Sequence, residues 1–234
     1  MSTLGIRRIL AAVFLAMAFS GPALAETIAV IGTGNVGSAL GTRLGGVGHT
    51  IVYGSRNPSS DDVSDLVSRS GRAASAVLPS EAIVDADMVI LAVPGMLVEG
   101  IVRDLGDLAG KIVIDPTNPL TRDDEGRFVM GVETSNGELV QAAVPEAHVV
   151  KAFNTLSYQT MLDPASSGGR VSIPLAGNDP AAKERVAELV RAIGLWPAEV
   201  GPIESSKHVE GMLILWINAR AAGNAFDYYL RPKP

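Results

Sequence analysis

Residues 27–37 read TIAVIGTGNVG, and this stretch decides the fold of the chain. An apolar run, Thr27–Ile31, ends directly in the pattern G-x-G-x-x-G, and a helix-compatible segment, Ser38–Leu44, follows. The first glycine of such a pattern permits a tight turn, the second lets the backbone approach a pyrophosphate, and the third lets helix and strand pack closely. The predicted cofactor-binding residues of this loop are Gly32, Thr33, Gly34, Asn35, Val36 and Gly37.

The end of the second predicted strand, Thr50–Tyr53, indicates which dinucleotide is bound. NAD sites usually carry an acid here for the ribose hydroxyls, but no Asp or Glu occurs in residues 45–60. Ser55 and Arg56 stand there instead, and a hydroxyl with a guanidinium suits a 2′-phosphate, which a carboxylate would repel. We therefore predict NADP(H) as the cofactor.

Strand-like and helix-like segments alternate along the rest of the chain, which is typical of an α/β fold with a doubly wound, Rossmann-type parallel sheet. The further predicted strands are Met88–Val93, Lys111–Asp115, His148–Phe153, Ser172–Ala176 and Pro197–Val200. The predicted helices are Asp61–Arg69, Pro79–Ala86, Met96–Leu105, Pro180–Ile193 and Ser206–Leu230. We expect a flexible loop at Thr121–Gly131, an NADP-binding domain over residues 26–200 and a small C-terminal helical extension over residues 201–234.

Composition narrows the function classes. The 234 residues are 47% hydrophobic and carry a formal net charge of -6, which argues against nucleic acid as a partner. No polybasic run suggests a membrane surface. The chain has no cysteine and no clustered histidines, so we predict neither a disulfide nor a metal site.

The first 25 residues have the pattern of a secretory signal peptide. Arg7 and Arg8 precede a short apolar segment, and Ala23-Leu24-Ala25 forms an A-x-A cleavage site. The apolar segment is short for a membrane span, although an uncleaved anchor is the alternative. We expect a mature protein that begins at Glu26, is not membrane-bound, and is periplasmic or secreted.

Several stretches together resemble the coenzyme F420-dependent NADP oxidoreductases. They are residues 28–58, the strand end Ala92-Val93-Pro94, and the segments DPTNP at 115–119, LAGND at 175–179 and GPIESS at 201–206. The resemblance implies a Rossmann domain with a C-terminal helical part, and hydride transfer between NADP(H) and a deazaflavin. It also implies that Val93 and Pro94 lie along the ribose and nicotinamide. Archaeal members carry a His-containing segment where residues 151–155 read KAFNT, so the second substrate is less certain than the nucleotide.

Polar residues at predicted strand ends are the candidates for contact with substrate. Lys151 and Asn154 are the catalytic candidates, with Lys151 stabilising charge on a reduced acceptor and Asn154 binding a carboxamide; a salt-bridged lysine and a turn-capping asparagine are the alternatives. Thr117 and Asn118 share this edge as cofactor-binding candidates. His208 is a weaker candidate for contact with the acceptor, whereas His49 and His148 are expected to be structural.

The sequence thus predicts an oxidoreductase that passes a hydride between NADP(H) and a small-molecule acceptor, either F420 or a flavin. Two alternatives remain open at this stage. One is a dehydrogenase like pyrroline-5-carboxylate reductase, whose family needs a longer helical dimerisation domain; the other is a non-catalytic periplasmic NADP-binding module. The apolar C-terminal helix is also the predicted contact of a homodimer.

Overall fold

The computed structural model describes residues 25–224 and 229–233. The predicted signal peptide therefore lies outside the described residues, apart from Ala25. In this part of the chain the strands are β1 (Thr27–Ile31), β2 (Thr50–Gly54), β3 (Ser75–Val77), β4 (Met88–Leu91), β5 (Ile112–Asp115), β6 (Leu120–Arg122), β7 (Phe128–Met130), β8 (His148–Lys151), β9 (Ser172–Gly177) and β10 (Trp196–Gly201). The α-helices are α1 (Asn35–Gly46), α2 (Asp61–Arg69), α3 (Pro79–Ala82), α4 (Val98–Asp104), α5 (Asn136–Ala143), α6 (Tyr158–Leu162), α7 (Pro180–Ala192) and α8 (Ser206–Ala221).

Eight strands form one sheet in the order β10-β9-β8-β5-β4-β1-β2-β3. The strands β8, β5, β4, β1, β2 and β3 are parallel to one another. The strand order reverses at β1, which pairs with β2 on one side and β4 on the other. Open α/β sheets bind ligands at the carboxyl ends of the strands beside such a reversal. The predicted α/β, Rossmann-type fold with a C-terminal helix is confirmed.

The sheet departs from the predicted parallel arrangement at one edge. Strand β9 pairs antiparallel with β8, and β10 pairs parallel with β9. The register pairs Lys151 at the end of β8 with Ala176 near the end of β9. Strand β9 therefore begins beyond the carboxyl edge of β8 and runs back along it. A parallel strand would have needed the connecting segment 152–171 to cross to the other edge of the sheet, and this segment stays on the carboxyl side.

Helices cover both faces of the sheet, and the sheet separates two hydrophobic cores. Along β1, Ile28 and Val30 pack into one hydrophobic cluster, while Ala29 and Ile31 pack into the other, because successive strand residues point to opposite faces. Every residue of β4 is buried, as expected for a central parallel strand covered on both sides.

The region expected to be a flexible loop, Thr121–Gly131, instead contains most of the β6–β7 hairpin. The hairpin is held against α8 by the Asn218 side chain, which accepts from the Phe128 N–H at 2.8 Å and donates to the Phe128 carbonyl at 2.7 Å. The predicted helix Ser206–Leu230 is also too long, because α8 ends at Ala221 and Gly223 adopts a positive φ of 85° just beyond it.

Candidate active site at the carboxyl edge of the sheet

The glycine-rich loop has the geometry of a pyrophosphate cradle. Gly32 has φ 105°, and a Cβ there would lie 2.3 Å from the Ala92 carbonyl oxygen. A Cβ on Gly37 would lie 2.0 Å from the Gly32 carbonyl oxygen, so helix and loop pack as the motif requires. A Cβ on Gly34 would meet no atom within 4 Å, which leaves open space at the start of α1. No side chain caps α1 and its first turn has no acidic residue, so its N–H groups suit an anion.

The end of β2 places Ser55 and Arg56 as the sequence predicts. Ser55 is buried, and its Oγ accepts from the Asn57 N–H at 3.1 Å, so this hydroxyl shapes the turn. Arg56 is exposed, and its guanidinium has no hydrogen-bond or ion-pair partner within the described residues. A free guanidinium beside a fixed hydroxyl fits the 2′-phosphate of NADP(H).

Val93, Pro94, Thr117 and Asn118 lie in the loops that follow β4 and β5, and a buried amide network ties these loops together. Asn136 Nδ2 donates to the Gly95 carbonyl at 3.0 Å and to Thr117 Oγ1 at 2.7 Å. The Thr117 hydroxyl is thus turned into the protein, and the direct role of this residue is to hold the loop after β5 against the loop after β4.

Asn118 and Asn154 form a reciprocal pair across the ends of β5 and β8. Asn118 Nδ2 donates to the Asn154 carbonyl at 3.1 Å, and Asn154 Nδ2 donates to Asn118 Oδ1 at 2.9 Å and to the Val209 carbonyl at 3.2 Å. Asn154 Oδ1 is buried and has no donor among the described residues. An unpaired buried acceptor is costly, so the rest of the reciprocal pair must hold the Asn154 side chain in this orientation.

Lys151 is fully buried and paired with two carboxylates, as in the salt-bridged alternative, so the structure lends no support to its predicted contact with the acceptor. Its Nζ lies 2.8 Å from Asp115 Oδ2 and 2.6 Å from Glu210 Oε1, and all three side chains are fully buried. Glu210 also accepts from the N–H groups of Asn136 and Gly137 at the start of α5. A lysine that is desolvated between two carboxylates is fixed as a structural cation. Burial raises the pKa of the Glu210 carboxyl above its ordinary value, against the opposing pull of the Lys151 ammonium group.

A cleft of about 280 Å³ opens beside this network, between the end of β8, the start of α6 and the helix α8. Four aromatic side chains line it: Phe153, Tyr158, Trp216 and Tyr229. Asn118, Asn154 and the helix α1 residue Val36 also line it, so the cleft adjoins the glycine-rich loop. Phe153 has φ 64°, a strained conformation for a bulky residue that tends to occur at functional sites.

The aromatic residues of the cleft were not identified as site residues from the sequence. None of them belongs to a motif in the sequence. Phe153 and Tyr158 follow the carboxyl end of β8, and Trp216 joins them only in the folded chain, through α8.

The histidines contribute little to the site. His208 is exposed and does not line the cleft, so its predicted contact with the acceptor has no support. His49 Nδ1 accepts from the Glu26 N–H at 3.3 Å, and burial lowers the pKa of this imidazole. His148 Nδ1 lies 3.8 Å from Asp179 Oδ2 at the start of β8, on the far edge of the sheet. In the described part of the chain, no helix is long and apolar enough to span a membrane.

Known proteins are similar to this chain in sequence and in overall fold. A family model described as NADP oxidoreductase coenzyme F420-dependent matches residues 27–119. A solved structure of a candidate F420-dependent NADP reductase from Arthrobacter sp. FB24 superposes with a TM-score of 0.79 at 30% identity, covering 89% of this chain and 100% of that one. The F420-dependent NADP reductase of Methanothermobacter marburgensis is 27% identical, covering 82% of this chain and 91% of that protein.

Metalloreductase STEAP3 of Rattus norvegicus is 29% identical over 191 residues, which are 82% of this chain and 37% of that protein. The chain thus spans about a third of the length of the metalloreductases that it matches. Sequence and fold agree, and the chain belongs to the coenzyme F420-dependent NADP oxidoreductase family.

Proposed function

We propose that the protein transfers a hydride between NADP(H) and a planar deazaflavin or flavin ring that lies in the aromatic cleft. The observation that carries this proposal is the cleft itself. It adjoins the glycine-rich loop through Val36 and is lined by the aromatic side chains of Phe153, Tyr158 and Trp216. Offset or edge-to-face contact with such rings favours a flat aromatic ligand.

The residues of the cleft suit hydride transfer rather than acid–base or nucleophilic chemistry. NADPH, when bound, would supply the hydride, and with one further proton from solvent the acceptor ring would gain two electrons and two protons in all. Among the described residues that line the cleft none is charged, so their part is to align the two rings and exclude water. Asn154 lines the cleft at this junction and is the candidate residue to orient a carboxamide or a ring N–H.

Turnover with a panel of acceptors tests the proposal. Purified protein is mixed with NADPH and F420, FMN, FAD or a ferric chelate, and NADPH absorbance is followed. We expect oxidation with a deazaflavin or flavin, and oxidation by the ferric chelate only when a flavin is also present. Stoichiometric NADPH binding without oxidation by any acceptor would instead favour a non-catalytic NADP-binding module.

A substitution in α8 locates the acceptor. Trp216→Ala should raise the acceptor KM about five- to thirtyfold, the equivalent of about 1–2 kcal/mol of ring contact, and leave the NADPH KM unchanged. Leu215→Ala is the matched control, because Leu215 is the next residue of the same helix, is 67% exposed and does not line the cleft. Equal effects of the two substitutions would place the acceptor elsewhere.

Three further expectations belong to this proposal. We expect residues 26–200 to form the NADP-binding domain and to hold the cofactor. We expect the helical cap from residue 201 to form one wall of the cleft. Export with cleavage after Ala25 is tested by fractionation and N-terminal sequencing of the mature protein. A homodimer through α8 is tested by light scattering of wild type and a Leu215→Glu variant.

A further inference from the structure

Two of the aromatic rings that line the cleft carry an arginine on one face. The Arg220 guanidinium lies 4.9 Å from the centre of the Trp216 ring, and the Arg231 guanidinium lies 5.9 Å from the centre of the Tyr229 ring. Both arginines are exposed. Neither arginine is among the residues that line the cleft, but each is exposed beside a ring that does, and we call this pair the rim arginines.

The rim arginines are positioned but not neutralised. Arg220 stands one helical turn after Trp216 on α8, which aligns the two side chains on one face. Arg231 donates to the backbone carbonyls of Ser167 and Arg170. Neither guanidinium has a carboxylate partner among the described residues, whereas Arg103 on the distant helix α4 is paired with Glu99 at 2.8 Å.

We propose that Arg220 and Arg231 form an anion-binding rim that takes the phosphate of the acceptor's side chain; this inference rests on the proposed function. The Arg220 guanidinium has no hydrogen-bond partner among the described residues. Arg231 uses one N–H of each terminal nitrogen for a backbone carbonyl, so both arginines keep N–H groups that can bind phosphate oxygens. The ligand is thus a planar ring with a phosphate-bearing tail. The monoester of FMN and the phosphodiester of F420 share this chemistry.

The phosphates of the dinucleotide do not compete for this rim. Arg56 follows β2, on one side of the strand-order reversal, and the pyrophosphate cradle is at Gly34. The rim lies on the other side, where α8 and the C-terminal segment cover the end of β8. An acceptor whose ring fills the cleft would extend its tail outward past Trp216 and Tyr229, away from the dinucleotide.

Acceptors that differ only in the tail test the rim. FMN is compared with riboflavin, and F420 with its own chromophore lacking the phosphodiester tail, using wild type and an Arg220→Gln/Arg231→Gln variant. We expect the double substitution to raise the KM for the tailed member of at least one pair about tenfold, because exposed charge-assisted contacts are partly screened. KM for the tailless member, kcat and the NADPH KM should change less than about twofold. Arg103→Gln is the control and should leave every constant unchanged.

Three outcomes are decisive. If the double variant leaves the ratio of kcat/KM between tailed and tailless acceptors unchanged, or lowers both members equally, the rim does not bind the tail. The pair in which the ratio falls identifies the phosphate source. If wild type oxidises NADPH with none of the four acceptors, the proposed function fails and this inference fails with it. Arg220→Gln alone breaks no described hydrogen bond, so it controls for misfolding caused by loss of the Arg231 contacts. We expect this single substitution to raise the KM for the tailed acceptor in the same direction, but less than the double substitution does.

Discussion

Replacement of Lys151 by methionine tests the buried ion cluster beneath the site. Lys151 is the cation between Asp115 and Glu210, at 2.8 Å and 2.6 Å, and its Nζ also donates to the Thr117 carbonyl at 2.5 Å. Methionine has a similar length and fills the space, so the substitution removes the charge and leaves two fully buried carboxylates without their cation. Loss of one partner from a buried ion pair costs about 3–5 kcal/mol, and we expect a free energy of unfolding lower by this amount at neutral pH.

The deficit should depend on pH in a defined direction. A carboxyl whose folded-state pKa is raised, as that of Glu210 is by burial, binds its proton more tightly in the folded protein than in the unfolded chain. Its contribution to stability is therefore complete at low pH and is lost as the pH rises through the folded-state pKa. The Lys151 ammonium group opposes this shift, so its removal raises the pKa of Glu210 further. The variant should recover part of its stability as the pH falls from about 8 to about 5.5.

Urea unfolding followed by circular dichroism at both pH values measures this effect, provided that the m-value is unchanged. Lys183→Met is the matched control: Lys183 pairs with Glu199, which is 66% exposed, and the loss should stay below about 1 kcal/mol. A triple variant that also carries Asp115→Asn and Glu210→Gln should recover most of the stability, because no buried charge remains. A Lys151→Met deficit below about 1 kcal/mol, or one that is equal at the two pH values, would refute the assignment of an uncompensated buried charge.

Two further predictions concern the nucleotide. Arg56→Ala should weaken NADPH binding by about 1.5–3 kcal/mol, the scale of a hydrogen bond to a charged group, and leave NADH nearly unchanged; equal losses for both nucleotides in a titration would remove the 2′-phosphate from this arginine. Gly34→Ala should fold with an unchanged Tm, since its Cβ meets no protein atom within 4 Å, yet weaken NADPH binding more than tenfold. Gly46→Ala, at an equally open position, should change neither property, and wild-type affinity in Gly34→Ala would place the pyrophosphate elsewhere.

The cofactor half of the site was predictable because its determinants are contiguous in sequence. Gly32, Gly34 and Gly37 lie within one turn and the first turn of one helix. A Cβ would clash at Gly32 and Gly37, and Gly34 leaves the open space that the motif reserves for a pyrophosphate. Ser55 and Arg56 are read from the end of the neighbouring strand. The identity of the coenzyme can therefore be predicted from short stretches of sequence, without knowledge of any tertiary contact.

The acceptor half was not predictable to the same depth, because its determinants meet only in the folded chain. Lys151 could be a ligand contact or a paired structural lysine on sequence grounds, and the partner that decides between them, Glu210, lies on a helix in the C-terminal part of the chain. The polar composition of residues 121–127 suggests a loop, yet the β6–β7 hairpin forms because Asn218 pairs with Phe128 across 90 positions of sequence. The strand propensity of a segment predicts its structure poorly where a side chain that is distant in sequence supplies the hydrogen bonds.

Helix α8 explains why this half of the site can change its ligand without loss of the fold. Glu210 near its start is buried in the ion cluster and caps α5, and this anchor is independent of the acceptor. Trp216, nearly two turns later, lines the cleft together with Met212 and Leu213. The helix therefore lacks a single apolar face, since one side is anchored in the core and another lines the cleft. If the acceptor binds there as proposed, substitutions at the cleft positions would change which ring fits while the anchor keeps the helix in place, so acceptor specificity could diverge on a constant NADP-binding sheet.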